Sequence, residues 1–137
     1  MDGQNSKRAK RLGLAGSVLA IFCPVSANAQ SLHPMRAEAK SVTDQFAIRV
    51  FPGNPYQHRI KVEIHVYDET FREIEAQVVP REALIAPQEF RNVMVVVPFD
   101  GKTERRVRIC AESIPFTEST TRVRAQVCGK YFAHQLR

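Results

Sequence analysis

The sequence predicts an all-β protein: an Ig-like, two-sheet antiparallel β-sandwich of about seven strands. Three observations predict it. Apolar residues recur at every second position through most of residues 45–132, the period that places alternate side chains on one face of a sheet. Turn residues interrupt that pattern roughly every 8–12 residues, as a sandwich of short strands requires. No segment carries apolar residues at helical spacing, and there is no internal repeat or low-complexity tract. A small barrel is the alternative way to close such strands. Trp is absent, so the core Trp of antibody domains has no counterpart.

Residues 1–29 read as a signal peptide and are set aside from the fold. Lys7, Arg8, Lys10 and Arg11 form a basic start, Leu12 to Val25 an apolar run, and Ala27-Asn28-Ala29 a small-x-small cleavage site. The apolar run is shorter than the ~20 residues a membrane-spanning helix needs, and Pro24 breaks its end. Cys23 follows Phe22, too bulky for a lipoprotein site, and leaves with the signal. An exported, periplasmic or secreted protein without stable membrane insertion is expected. The signal carries four of the 20 basic and one of the 14 acidic side chains. The mature chain, residues 30–137, is therefore only mildly basic, and nucleic-acid binding does not follow from its charge.

Residues 30–44 are polar around Pro34 and read as a flexible lead-in to one domain, residues 45–137. Phe46, Ile48 and Val50 open the alternation, and Pro52-Gly53-Asn54-Pro55 ends it, because two prolines remove ladder donors. Ile60, Val62, Ile64 and Val66 then face one way, with Lys61, Glu63, His65 and Tyr67 opposite. Ile74, Ala76 and Val78 repeat the pattern up to Pro80. Residues 81–90 read as a connection with room for a short helical turn. Residues 92–99 are continuously apolar after Asn92, which predicts a strand covered on both faces. Asp100-Gly101 marks a turn. Two more strands follow, at residues 104–112 and 121–132.

The last two strands carry the remaining cysteines. Arg106, Arg108, Cys110 and Glu112 share one face of the first, and Arg122, Arg124, Gln126 and Cys128 share one face of the second. Folding the hairpin about Glu118 and Ser119 sets Cys110 opposite Cys128. Paired positions lie about 4.5–5.5 Å apart, close to disulfide geometry. In an exported domain this predicts a structural bond contributing ~3 kcal/mol. Without a Cys-x-x-Cys spacing, a redox role is not indicated. The four arginines fall on the same outer face. They form either a solvated surface balanced by Glu104, Glu112 and Glu118 or a binding face for an anionic envelope component: a carboxylate terminus, a lipid head group or an acidic glycan.

The stretch from Phe46 to Pro115 resembles the first domain of periplasmic pilus chaperones of the chaperone–usher pathway. "IRVFPGN" is similar to their early strand, "AQVVPREALIAPQEFRNVMVVV" to a strand, proline, loop and next strand, and "RRVRICAESIP" to a late strand ending in Ile-Pro. The resemblance implies a domain that lends its last strand to an exported, pilin-like subunit, main chain to main chain. It also implies that Arg49 holds a partner carboxylate. A disulfide between the last two strands occurs in one branch of that family.

No Gly-rich phosphate loop, nucleophile elbow or HExxH is present, and His33, His58, His65 and His134 lack ligand spacing. A non-enzymatic protein with no catalytic residues, metal or cofactor is expected. N-terminal sequencing of the exported form should begin at or near Gln30; an intact Met1 would exclude signal cleavage.

Overall fold

Strands form where the alternation runs. The computed structural model describes residues 30–114 and 124–136. In chain order its strands are β1 (Ser31–His33), β2 (Arg36–Ser41), β3 (Gln45–Gly53), β4 (Ile60–Tyr67), β5 (Gln77–Val79), β6 (Glu82–Ile85), β7 (Val93–Pro98), β8 (Glu104–Ile114) and β9 (Gln126–Gln135). One sheet has the order β1-β3-β7-β5 and the other β2-β9-β8-β4-β6. Among the described residues there is no helix. The molecule is an all-β sandwich.

Period two generates the core directly. Phe46, Ile48 and Val50 of β3 and Val93, Val95 and Val97 of β7 line the inner face of the four-stranded sheet. Opposite them lie Ile60, Val62, Ile64 and Val66 of β4, Val107, Ile109 and Ala111 of β8, and Tyr131 and Ala133 of β9. β-Branched residues dominate because they pack well on a pleated surface. Phe46 and Phe99 fill one end with tilted rings 5.0 Å apart.

The structure departs from expectation in five places. Residues 30–44 are not a flexible lead-in: they form β1, paired antiparallel with β3, and β2, paired with β9. Leu32 is buried, and Ala37 and Ala39 pack on the core. Small alternating residues at 37 and 39 form a strand that apolar counting overlooks. The β2–β9 pair is parallel, so one pairing of the sandwich is not antiparallel, and the described residues form nine strands where about seven are expected. Residues 82–85 form an edge strand against β4, with Ile85 buried opposite Ile60, in place of a helical turn. β7 is covered on one face only; Met94, Val96 and Pro98 on the other are half-exposed, because among the described residues nothing packs on that side of the four-stranded sheet. Finally, the repeat over residues 71–80 yields only the short β5 and an isolated bridge from Tyr67 to Glu73. Ile74, Ala76 and Val78 still pack on the core.

Polar residues fix the ends of the sandwich. Asp100 and Gly101 both have positive φ (51° and 76°), and the Lys102 N–H donates to the Phe99 carbonyl across them, the backbone a tight Asp-Gly turn requires. Buried Arg105 of β8 reaches over to this turn, binding the Asp100 carboxylate at 2.7 Å and the Pro98 carbonyl. It thereby joins the two sheets. At the other end, buried Asn54 donates to the carbonyls of His58, Ile85 and Ala86, while its Oδ1 accepts from the Tyr56 N–H. One side chain thus satisfies four backbone groups in the loops and at the end of β6.

The Tyr131 hydroxyl donates to the Pro34 carbonyl at 2.6 Å, where the chain passes from β1 to β2. Burial pushes its pKa from 10.0 up to about 12. A folded-state pKa above the unfolded value favours folding only while the phenol keeps its proton. Stability should therefore be unaffected by Tyr131 below pH 10 and fall as pH rises from about 10 through about 12. Tyr131→Phe should cost ~1 kcal/mol at neutral pH through the lost hydrogen bond and flatten that alkaline decline. Urea unfolding of both proteins across this range measures it; an equally steep decline in the Phe variant would assign it to other groups.

Candidate functional site

The β8–β9 hairpin sets the geometry of the basic face. Cys110 stands directly opposite Cys128, with Cα atoms 4.0 Å apart, and the two are bonded. The Ser113 N–H donates to the Ala125 carbonyl, so residues 125, 127 and 129 turn their main-chain groups toward β8. Residues 126 and 128 then turn theirs away from it. Cys110 lies on the outer face, as the alternation requires, yet is fully buried there, flanked in register by His65 of β4 and Cys128 of β9.

Three of the four arginines assigned to this face are described; Arg122 lies outside the described residues. Arg106 is exposed, sits 4.8 Å over the Phe132 ring and is 3.8 Å from Glu69. Arg108 is half-buried, its guanidinium 4.4 Å over the Phe71 ring, and its Nε has no hydrogen-bond partner among the described residues. Arg124 lies just before β9 and pairs with Glu112 at 3.0 Å. Of the balancing acids expected, Glu112 meets Arg124, Glu104 turns to His134 at 3.2 Å and Glu118 lies outside the described residues, while Glu69 meets Arg106.

Phe71 is carried by a turn built on Asp68. That carboxylate accepts from the N–H groups of Thr70 and Arg72 and from the Thr70 hydroxyl. The Thr70 hydroxyl is the largest of the causes that hold its pKa down to about 2. The turn places Phe71 at φ 59°, 54% exposed, above Arg108. Arg106, Arg108, Lys130, Phe132 and Glu69 border a surface cavity of about 330 Å³. Sequence reasoning missed Phe71, Phe132 and Lys130. The register implied by the two cysteines is the signal that would have placed Lys130 opposite Arg108.

Arg49 is not part of this site. It projects from β3, opposite Met94 of β7, on the outer face of the four-stranded sheet. The structure thus separates the two sets of candidate binding residues onto opposite faces of the sandwich. His65 lies between Glu63 and Glu73, and His134 between Glu38 and Glu104. Among the described residues no three His, Cys, Asp or Glu side chains are grouped to hold a metal.

The edge of β9 is covered only in part. β2 pairs with residues 130–135, and the Lys130 N–H donates to the Met35 carbonyl. Residues 126–129 pair with β8 on one side and with no strand on the other among the described residues. The outward main-chain groups there belong to Gln126 and Cys128.

No family model and no curated protein matches the sequence. Solved structures match the fold. The E. coli chaperone DraB superposes with a TM-score of 0.64 at 17% identity, over 78% of this chain and 55% of that one. The SafB chaperone of Salmonella enterica, in complex with the SafA pilin, gives 0.62 at 14% identity, over 78% and 54%. The PapD-like domain of human CEP192 gives 0.60 at 11% identity, over 89% and 97%. The chain spans just over half the length of the pilus chaperones it matches and almost all of the CEP192 domain. Its Ig-like fold is the one these structures share, and most of them are pilus chaperones. No helix among the described residues is long and apolar enough to cross a membrane.

Cys110→Ser opens an 18-residue covalent loop and should destabilise the domain by ~3 kcal/mol. Its far-ultraviolet circular dichroism should remain that of the wild type. Non-reducing mass spectrometry of the exported protein should find no alkylatable thiol; two free thiols would remove the bond from the native state.

Proposed function

We propose that this domain is an exported, non-enzymatic interaction module that binds an extended segment of another exported polypeptide along the uncovered edge of β9. The observation that carries the reading is the gap beside residues 126–129, where β2 has not yet begun to pair. Strand addition to an open edge draws affinity from main-chain hydrogen bonds and selectivity from alternate side chains. Gln126 and Cys128 supply the outward N–H and C=O groups. Val127 and Gly129 face inward, so this stretch offers little side-chain volume to a partner, and recognition rests on the backbone.

The fold likeness to chaperones, one of them seen holding a pilin, makes a pilin-like subunit the partner class of choice. On this reading the protein works in the periplasm or outside the cell after losing residues 1–29. Arg49, isolated on the opposite sheet, would hold a carboxylate of the same partner at a second point of contact.

Gln126→Pro separates edge binding from folding. It removes an outward donor but none of the bonds to β8, and edge positions tolerate proline. The mature protein is used to capture exported polypeptides, and each recovered partner is rebound to variants whose β content has been verified. Edge binding predicts at least about tenfold weaker association for Gln126→Pro, the worth of one or two main-chain hydrogen bonds, with little change for Arg106→Gln. Partners that bind the proline variant as tightly as wild type would refute the edge as the contact.

A further inference from the structure

On the outer face of the five-stranded sheet, three adjacent strands place a cation in the same row. Arg108 of β8 is in register with Lys130 of β9, and Lys130 is in register with Arg36 of β2. Neighbouring strands lie about 4.8 Å apart, so the row spans roughly 10 Å. Like charges directly opposite one another oppose strand pairing, yet none of the three has an ion-pair partner among the described residues. Several other surface cations are matched: Lys61 with Glu82, Arg72 with Asp68, Arg124 with Glu112.

The rows beside it differ. One runs Arg106, Phe132, Glu38 and the next Glu104, His134, Lys40, with His134 between two carboxylates. Neither of these rows sets cations side by side, and Arg106, next to the all-cation row, meets Glu69 only at 3.8 Å. Two of these cations are held in place by rings, Arg108 under Phe71 and Arg106 against Phe132. A planar guanidinium stacked on an aromatic face loses little further freedom when it binds an anion. The Arg108 Nε, shielded and without a partner, is a donor left over for one.

We propose that Arg36, Arg108 and Lys130 form a binding site for a tetrahedral dianion of the phosphomonoester class, with Arg108 and Lys130 bordering the cavity beside Phe132 and Arg36 next to Lys130 in the row. Arg and Lys side chains are long enough to reach one group from Cα positions this close. A dianion with three terminal oxygens offers an acceptor to each of the three cations, whereas a carboxylate has two oxygens and one charge. The inference rests on the basic face alone and is independent of the open β9 edge.

The test uses the mature, disulfide-bonded protein and two probes. Inorganic phosphate is titrated with amide shifts as the readout, and vesicles of phosphatidylcholine carrying phosphatidic acid are tested by co-sedimentation against vesicles carrying phosphatidylglycerol, a phosphodiester. The site predicts binding of at least one phosphomonoester probe, weakened about tenfold or more by Arg36→Gln, Arg108→Gln or Lys130→Gln, the worth of one charge-assisted hydrogen bond. Arg124→Gln should have no effect, and the melting temperature of the exposed Lys130→Gln variant should be unchanged or raised. Binding to phosphatidic acid but not free phosphate assigns the ligand to a lipid surface; the reverse assigns it to a soluble phosphomonoester. The proposal fails if neither probe binds, if phosphatidylglycerol binds as well as phosphatidic acid, or if Arg124→Gln weakens binding as much as the row variants.

Discussion

The register of β8 against β9 is the constraint on which the rest of this surface depends. A slip of one residue would exchange the inner and outer faces of a strand, putting Arg106 and Arg108 where Val107 and Ile109 now sit. Burial of those two residues with Tyr131 and Ala133 opposes the slip thermodynamically, and the Cys110–Cys128 bond forbids it covalently. With the register pinned, every outward pairing follows: Arg108 meets Lys130, Arg106 meets Phe132, and Glu104 meets His134. The same register directs the main-chain groups of residues 126 and 128 away from β8. Gly129 belongs to this constraint too. A Cβ there would collide with the Tyr131 ring and hydroxyl, the group that anchors Pro34.

Apolar burial alone would let two sheets slide over each other, since it carries no direction. Buried polar contacts at the ends supply the direction. Arg105 reaches from one sheet to the carbonyl and carboxylate at the end of the other, and a buried guanidinium is tolerable only because both partners are there. Asn54 serves the opposite end by satisfying carbonyls in the loops and at the end of β6. These two residues define which sandwich forms from a set of strands that hydrophobicity merely assembles.

Much of this was legible in the sequence because period two is a strong signal wherever the buried side chains are large. Ile60 to Val66 and Phe46 to Val50 announce their strands, and the cysteine positions yield the hairpin register without further information. Where burial is carried by small residues the signal fades. Ala37 and Ala39 look like part of a polar tail, so β2 and its parallel pairing went unread, and with them the place of Arg36 beside Lys130. Asn54 reads as an ordinary turn residue, because nothing local reveals that its amide meets carbonyls more than 30 residues away. The basic face was legible as a set of arginines but not as a site, since Phe71 reaches Arg108 through a turn whose direction depends on the Asp68 carboxylate. Arg49 illustrates the converse: similarity singles it out, but only the topology shows that it faces away from the hairpin.

The passage of one short segment from β1 in the first sheet to β2 in the second has a mechanical consequence. β2 runs parallel to β9, so tension applied between residues 36 and 135 pulls the two strands along their lengths in opposite directions. Their inter-strand hydrogen bonds are then loaded together in shear rather than opened one after another. Rupture under force depends on the barrier to the first break, and here that break requires the whole β2–β9 ladder to yield at once. A domain of modest thermodynamic stability would thereby resist being drawn out by its ends.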